Sequence, residues 1–161
     1  MQEKELRLLY TEYGSDLELK ADDATLLAAA RDTTANAYAP YSHFRVGAAA
    51  RLVNGAIVTG SNQENASFPA GICAERTLLS VAATQYPGVG IETLAISYNN
   101  ERGVSDRPIA PCGICRQSLQ EFEQRTGRSM RVVLSGMEGK VLVLAESGLL
   151  LPLAFTSDEL K

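Results

Sequence analysis

The sequence predicts an α/β protein in which helices cover both faces of a sheet. Strand-length apolar runs interleave with segments of helical periodicity, Asn54-Gly55 separates two such runs, and Pro40 and Gly127 stand where helical patterns end. Between residues 3 and 13, Leu6, Leu8 and Tyr10 alternate with Arg7 and Leu9, which suggests a short strand. Asp22 and Asp23 offer an N-cap to an alanine-rich segment in which Leu26, Ala30 and Ala37 fall at near-helical spacing. That helix, about four turns long, should stop before Pro40, because the residue preceding a proline is pushed out of helical conformation.

Residues 46–53 and 57–61 flank Asn54-Gly55 and form a hairpin signal, since Asn-Gly supplies the positive φ angles of a two-residue turn. A helix beginning near Cys73 carries Leu78, Leu79, Val81 and Ala82. Residues 91–98 read as a buried strand, 99–111 as a loop, and 112 to about 125 as a helix closed by Gly127. Two further strands, 130–134 and 141–145, lie either side of a glycine-bounded turn. No internal repeat, low-complexity tract or linker interrupts this order.

A chain of 161 residues with 45% hydrophobic content has the size of one domain with its own core. A formal charge of -4 and a pI near 5.1 argue against a polyanion-binding surface. No apolar stretch approaches the roughly 20 residues of a membrane span. Three cysteines are an odd number for a disulfide framework and favour metal or catalytic use in a reducing compartment, so the chain is expected to be soluble and cytoplasmic.

Every cysteine belongs to one constellation, Cys73-Ala74-Glu75 and Pro111-Cys112-Gly113-Ile114-Cys115. A catalytic zinc needs three protein ligands and an open fourth position, and thiolates suit this borderline-soft ion. Glu75 lies close enough in sequence to reach a zinc-bound water without ligating, the place for a general acid/base. Cys112 and Cys115 share a helix face that Leu119 and Phe122 continue into the core. Cys73 and Glu75, two apart, would point opposite ways in a regular helix, so one of them should sit in an irregular first turn. Two helix N-termini meeting at the ion would lower the thiol pKa values. Three thiolates leave the divalent site one charge negative, and Arg76 is the candidate to offset it, against the alternative of an ordinary surface arginine. A closed structural zinc would need a fourth ligand, for which His43 is the sole imidazole.

The cysteine pattern is the established mark of zinc nucleobase deaminases. Around it stand Tyr38-Ala-Pro-Tyr-Ser-His-Phe44, Val46-Gly-Ala-Ala49, Gly60-Ser-Asn-Gln-Glu-Asn65, Gly71-Ile-Cys-Ala-Glu-Arg-Thr77, Pro111-Cys-Gly-Ile-Cys-Arg-Gln117 and Leu150-Leu-Pro152 with Phe155. In these blocks the chain resembles the short-chain, homotetrameric, three-cysteine cytidine deaminases from about residue 21 to the C-terminus. The resemblance implies a three-layer α/β/α sandwich with a five-stranded mixed sheet over a single domain 1–161. Residues 1–20 would be an extension adding an edge strand. It implies one Zn2+ per chain on Cys73, Cys112 and Cys115, and hydrolytic deamination of cytidine and deoxycytidine to uridine and deoxyuridine with release of ammonia, a pyrimidine salvage reaction. Glu75 would shuttle protons between water, ring N3 and the departing amine.

By the same resemblance Asn62 and Glu64 hydrogen-bond the ribose 3'-hydroxyl, with a plain polar loop as the alternative. Phe44 packs on the base or belongs to the core. Phe155 reaches a neighbouring subunit's site or docks on its own chain. The Ala74 N–H is a candidate donor to the pyrimidine carbonyl, Arg76 takes the role of charge compensator, and His43 makes no metal contact. Phe68 stands where many relatives carry tyrosine, and Arg45 where a proline is frequent. The competing functions are a deaminase of the same fold acting on another aminopyrimidine, and a non-enzymatic zinc-stabilised module that would have no need of Glu75. A free nucleoside suits the acidic chain better than a nucleic-acid strand, for which basic and aromatic strand-tracking surface is expected.

Overall fold

The computed structural model of the chain describes residues 1–160. Its strands are β1 (Thr11–Tyr13), β2 (Phe44–Leu52), β3 (Ile57–Ser61), β4 (Ile91–Asn100), β5 (Arg131–Ser135) and β6 (Val141–Leu144), and its helices are α1 (Ala21–Thr33), α2 (Ala74–Gln85) and α3 (Gly113–Thr126). They form one sheet in the order β1-β6-β5-β4-β2-β3, parallel only between β4 and β5. That parallel pair needs a crossover, which α3 provides. The sheet is mixed as expected but has six strands rather than five, because Thr11–Tyr13 pairs antiparallel with Val141–Val143. Leu6, Leu8, Leu9 and Tyr10 stay exposed outside any strand, so the alternation that suggested a strand over 3–13 marks three paired residues only.

Period-two alternation along the strands sorts the core into two layers. On one face Ala49, Ala95, Val133 and Val143 pack against Leu26, Leu27 and Ala30 of α1. On the other, Leu94, Ile96, Val132 and Leu134 pack against Leu78 and Ala82 of α2 and Leu119 and Phe122 of α3. Alanines in β2 and β4 let the helices approach closely. At Gly60 even alanine is too large, since a Cβ there would lie 2.4 Å from the Leu78 nitrogen.

Two local expectations are corrected. The hairpin turn is a three-residue loop, 53–55, in which only Gly55 has positive φ (86°). Asn54 accepts from the Ala56 N–H through its side chain (3.1 Å). The cap of α1 is Lys20, without a side-chain bond, and Asp23 is instead buried and bound bidentately by Arg131 of β5 (2.6 and 2.7 Å). The end of α3 follows expectation: Gly127 has φ 63° and returns its N–H to the last turn.

Candidate active site

Cys73 and Cys112 are the N-caps of α2 and α3, both with extended backbone (φ -76°, ψ 156° and φ -68°, ψ 167°), and neither side chain makes a capping hydrogen bond to a backbone amide of the helix it precedes. Both thiols are therefore free to face each other across two adjacent helix N-termini. The Cys73 and Cys112 sulfurs are 3.8 Å apart, those of Cys112 and Cys115 3.5 Å, and all three fall within 4.8 Å of one another. Sulfurs on a tetrahedral zinc at about 2.3 Å would lie about 3.8 Å apart, so the donor set fits the ion in type and spacing. The extended cap conformation of Cys73 is the irregularity that lets Cys73 and Glu75 serve one site.

Hydrogen bonding from Cys115, against the effect of burial, holds the Cys73 thiol down to about 6. The same bond and its own burial push Cys115 up. Glu75, the second residue of α2, is 5% exposed, and burial pushes its carboxyl above the usual range while a hydrogen bond with Cys115 opposes the shift. Ala74 opens α2, so its N–H has no acceptor within the helix, and the residue is fully buried.

Beside Cys73 opens a cavity of ≈ 560 Å³ walled by Tyr41, Ser42, Asn62, Glu64, Phe68 and Ile72 among others. Its size suits a small organic ligand. The Asn62 side chain splints the strands, accepting from the Val46 N–H (2.7 Å) and donating to the Phe44 carbonyl (3.0 Å), which leaves one N–H and one lone pair for a further partner. Glu64 accepts from the Tyr41 and Ser42 amides through Oε2 (2.9 and 3.3 Å). The Ser42 hydroxyl first, and these amides next, hold its carboxyl below the ordinary value. Phe44 is half-buried and stacks on Tyr98 at 4.8 Å with 16° between the rings. Phe68 is 75% exposed at the rim, edge-on to Tyr41 at 5.9 Å.

Phe44 is not among the residues that line the cavity, and the remaining candidates also lie outside it. Arg76 is half-buried and its charge favours the Cys73 thiolate, but among the described residues it makes no hydrogen bond to sulfur. It borders a groove of ≈ 540 Å³ between α2 and α3, shared with Gln117 and Phe155. Phe155 is 59% exposed and its carbonyl accepts from Gln117 Nε2 (2.9 Å). Ile72 walls both the groove and the cavity, so the two adjoin. His43 bonds Glu101 through Nδ1 (3.1 Å) and is not part of the sulfur cluster.

Sequence reading missed Arg116, which follows the last cysteine directly. Its guanidinium donates to the carbonyls of Pro111 (2.8 Å) and Leu150 (3.0 Å), fixing the loop that delivers Cys112. Its place in the Pro-Cys-Gly-Ile-Cys-Arg-Gln block was the available signal. Tyr98 gave no signal beyond strand periodicity, and Glu101 stood in an undifferentiated loop.

Comparison with known proteins agrees with this geometry. The family described as "Cytidine and deoxycytidylate deaminase zinc-binding region" matches residues 20–130. The chain is 35% identical over 139 residues to a cytidine deaminase of Halalkalibacterium halodurans, covering 86% of this chain and 98% of the relative. It is 36% identical over 140 residues to one from Sporosarcina psychrophila, covering 86% and 95%. Among solved structures, a cytidine deaminase from Burkholderia pseudomallei superposes with TM-score 0.71 at 39% identity, covering 85% of this chain and all (100%) of that one. One from Mycobacterium tuberculosis gives 0.64 at 31%, covering 84% and 98%.

Proposed function

The chain belongs to the cytidine and deoxycytidylate deaminase zinc-binding family, and from that premise we propose how its residues divide the hydrolysis of cytidine to uridine and ammonia. Cys73, Cys112 and Cys115 would hold one Zn2+, which when bound supplies the Lewis acidity that makes water a nucleophile at neutral pH. Glu75 takes a proton from the attacking water and gives it to ring N3, raising the electrophilicity of C4. It then carries the hydroxyl proton to the amino group, so that ammonia leaves. The observation that carries this reading is a buried carboxyl, raised above its usual range, two residues from Cys73, which belongs to the sulfur cluster and lines a ligand-sized cavity. Burial raises the proton affinity of the Glu75 carboxyl.

The free amide of Ala74 would take the pyrimidine carbonyl, and Asn62 and Glu64 the ribose 3'-hydroxyl. Phe44 would support the base from its stack on Tyr98. Arg76 acts through charge on the thiolates. Residues 1–161 would act as one deaminase unit with the first twenty as an extension. Phe155, exposed in a groove that shares Ile72 with the cavity, would reach a neighbouring subunit's site in a homotetramer. A net charge of -4 supports a free nucleoside rather than nucleic acid as partner. Three free thiols favour the cytoplasm, and among the described residues no helix is long and apolar enough to cross a membrane.

The experiment is an ammonia-release assay on cytidine with the wild type and Glu75→Gln. The variant should keep its zinc and fold yet lose about 10² to 10⁴ in kcat, since an amide cannot carry the proton. Near wild-type turnover would remove Glu75 from the mechanism.

A further inference from the structure

Tyr41 and Ser42 line the cavity, and the segment 37–45 that carries them is held in an unfavourable conformation. His43 has φ 56°, in the left-handed region that side chains other than glycine rarely adopt. It sits between Ser42, whose amide binds Glu64, and Phe44, which stacks on Tyr98. Strain of this kind persists only where surrounding contacts over-determine it.

Those contacts converge on Glu101, just past the carboxyl end of β4. Its backbone N–H donates to the His43 carbonyl (3.0 Å). Its Oε2 meets His43 Nδ1 at 3.1 Å, and its Oε1 accepts from Arg45 Nε. Arg45 in turn donates to the Ala37 carbonyl (2.9 Å) at the start of the wall. One carboxylate thus grips the residues on either side of Phe44, while Glu64 binds the two amides preceding His43. Glu101 itself does not line the cavity.

We propose that Glu101 is a positioning residue: it clamps His43 and Arg45 so that Phe44 and the Glu64-binding amides of Tyr41 and Ser42 are preorganised for the nucleoside. This deepens the reading of Phe44 and Glu64 as substrate contacts and rests on it. A clamp that bonds His43 and Arg45, and neither Glu75 nor the sulfurs, acts on affinity rather than on proton transfer. Arg45 and Glu101 work as a pair, since Arg45 reaches the Ala37 carbonyl and Glu101 joins Arg45 to His43.

The test is Glu101→Gln, which keeps the shape of the side chain and removes its charge. For cytidine, KM should rise about fivefold, the size expected for losing a partly exposed charged pair, with kcat within about twofold and zinc content unchanged. Adding Arg45→Met to it should raise KM no further. Hydrogen exchange at the Tyr41 and Ser42 amides, read without substrate, should quicken in the variant. Unchanged KM and unchanged exchange would overturn the proposal, as would a fall in kcat accompanied by loss of zinc. If Glu101→Gln does not fold, Arg45→Met alone carries the same expectations. Should the wild type fail to deaminate cytidine while exchange still quickens in the variant, the clamp stands and the nucleoside reading falls.

Discussion

Gly60 of β3 presses on Ala74, the first residue of α2, so closely that a methyl group on Gly60 would lie 2.6 Å from the Ala74 carbonyl oxygen. Ala74 separates Cys73 from Glu75, so this backbone contact fixes a proposed metal ligand and the proposed proton shuttle together.

Gly60→Ala should therefore displace the start of α2. Overpacking of this kind costs about 1 to 3 kcal/mol, and the displaced N-cap should weaken zinc binding as well. Thermal unfolding should show a lowered Tm, and elemental analysis a substoichiometric metal content. Full zinc with wild-type turnover would mean that the strand yields rather than the helix.

Removing the metal is a second check. A chelator should abolish activity and lower Tm, because an ion that binds only the folded chain stabilises it by mass action. Added Zn2+ should restore both, and Mg2+ neither, since thiolates disfavour a hard cation. Cys112→Ser should leave the fold recognisable by circular dichroism but cut zinc occupancy steeply.

Glu64 makes stability depend on pH in a defined direction. Its folded-state pKa is lowered, first by the Ser42 hydroxyl and then by the amides of Tyr41 and Ser42. The ionised form thus adds stability that is present above the unfolded value of roughly 4.3 and is lost as pH falls through the lower folded value. The Tm of the wild type should exceed that of Glu64→Gln at neutral pH, and the gap should close on acidification. A gap that stays constant with pH would remove the carboxylate from the account.

Phe155→Ala tests the shared site. Loss of an exposed aromatic anchor should raise KM severalfold and weaken assembly, with zinc content unaffected. Sedimentation of the wild type as a fully active monomer would exclude a neighbour's contribution.

The parts of the site that were legible in sequence are those encoded at short range. The three-residue spacing of Cys112 and Cys115 is a helical property, and the two-residue spacing of Cys73 and Glu75 required the irregular cap that is found at Cys73. Gly127 announced the end of α3 for the same local reason. What escaped was set by partners far along the chain. Asp23 looked like a helix cap until Arg131, 108 residues away, claimed its carboxylate. Glu101 gave no sign of its role because His43 and Arg45 meet it only once β2 lies on β4. The leucines of residues 6–9 imitated a strand, but β6 offers just four residues of edge and the ladder ends after Thr11–Tyr13.

That short ladder has a consequence for solubility. Without it, the outermost strand would be Val141-Leu-Val-Leu144, an uncharged apolar run with its peptide groups open to any other chain. Thr11–Tyr13 covers that run and presents in its place a three-residue edge carrying the Glu12–Lys140 ion pair (2.6 Å), too short and too charged to template further pairing. A chain trimmed of its first thirteen residues would be expected to keep its sulfur cluster while precipitating from concentrated solution, which a solubility measurement checks.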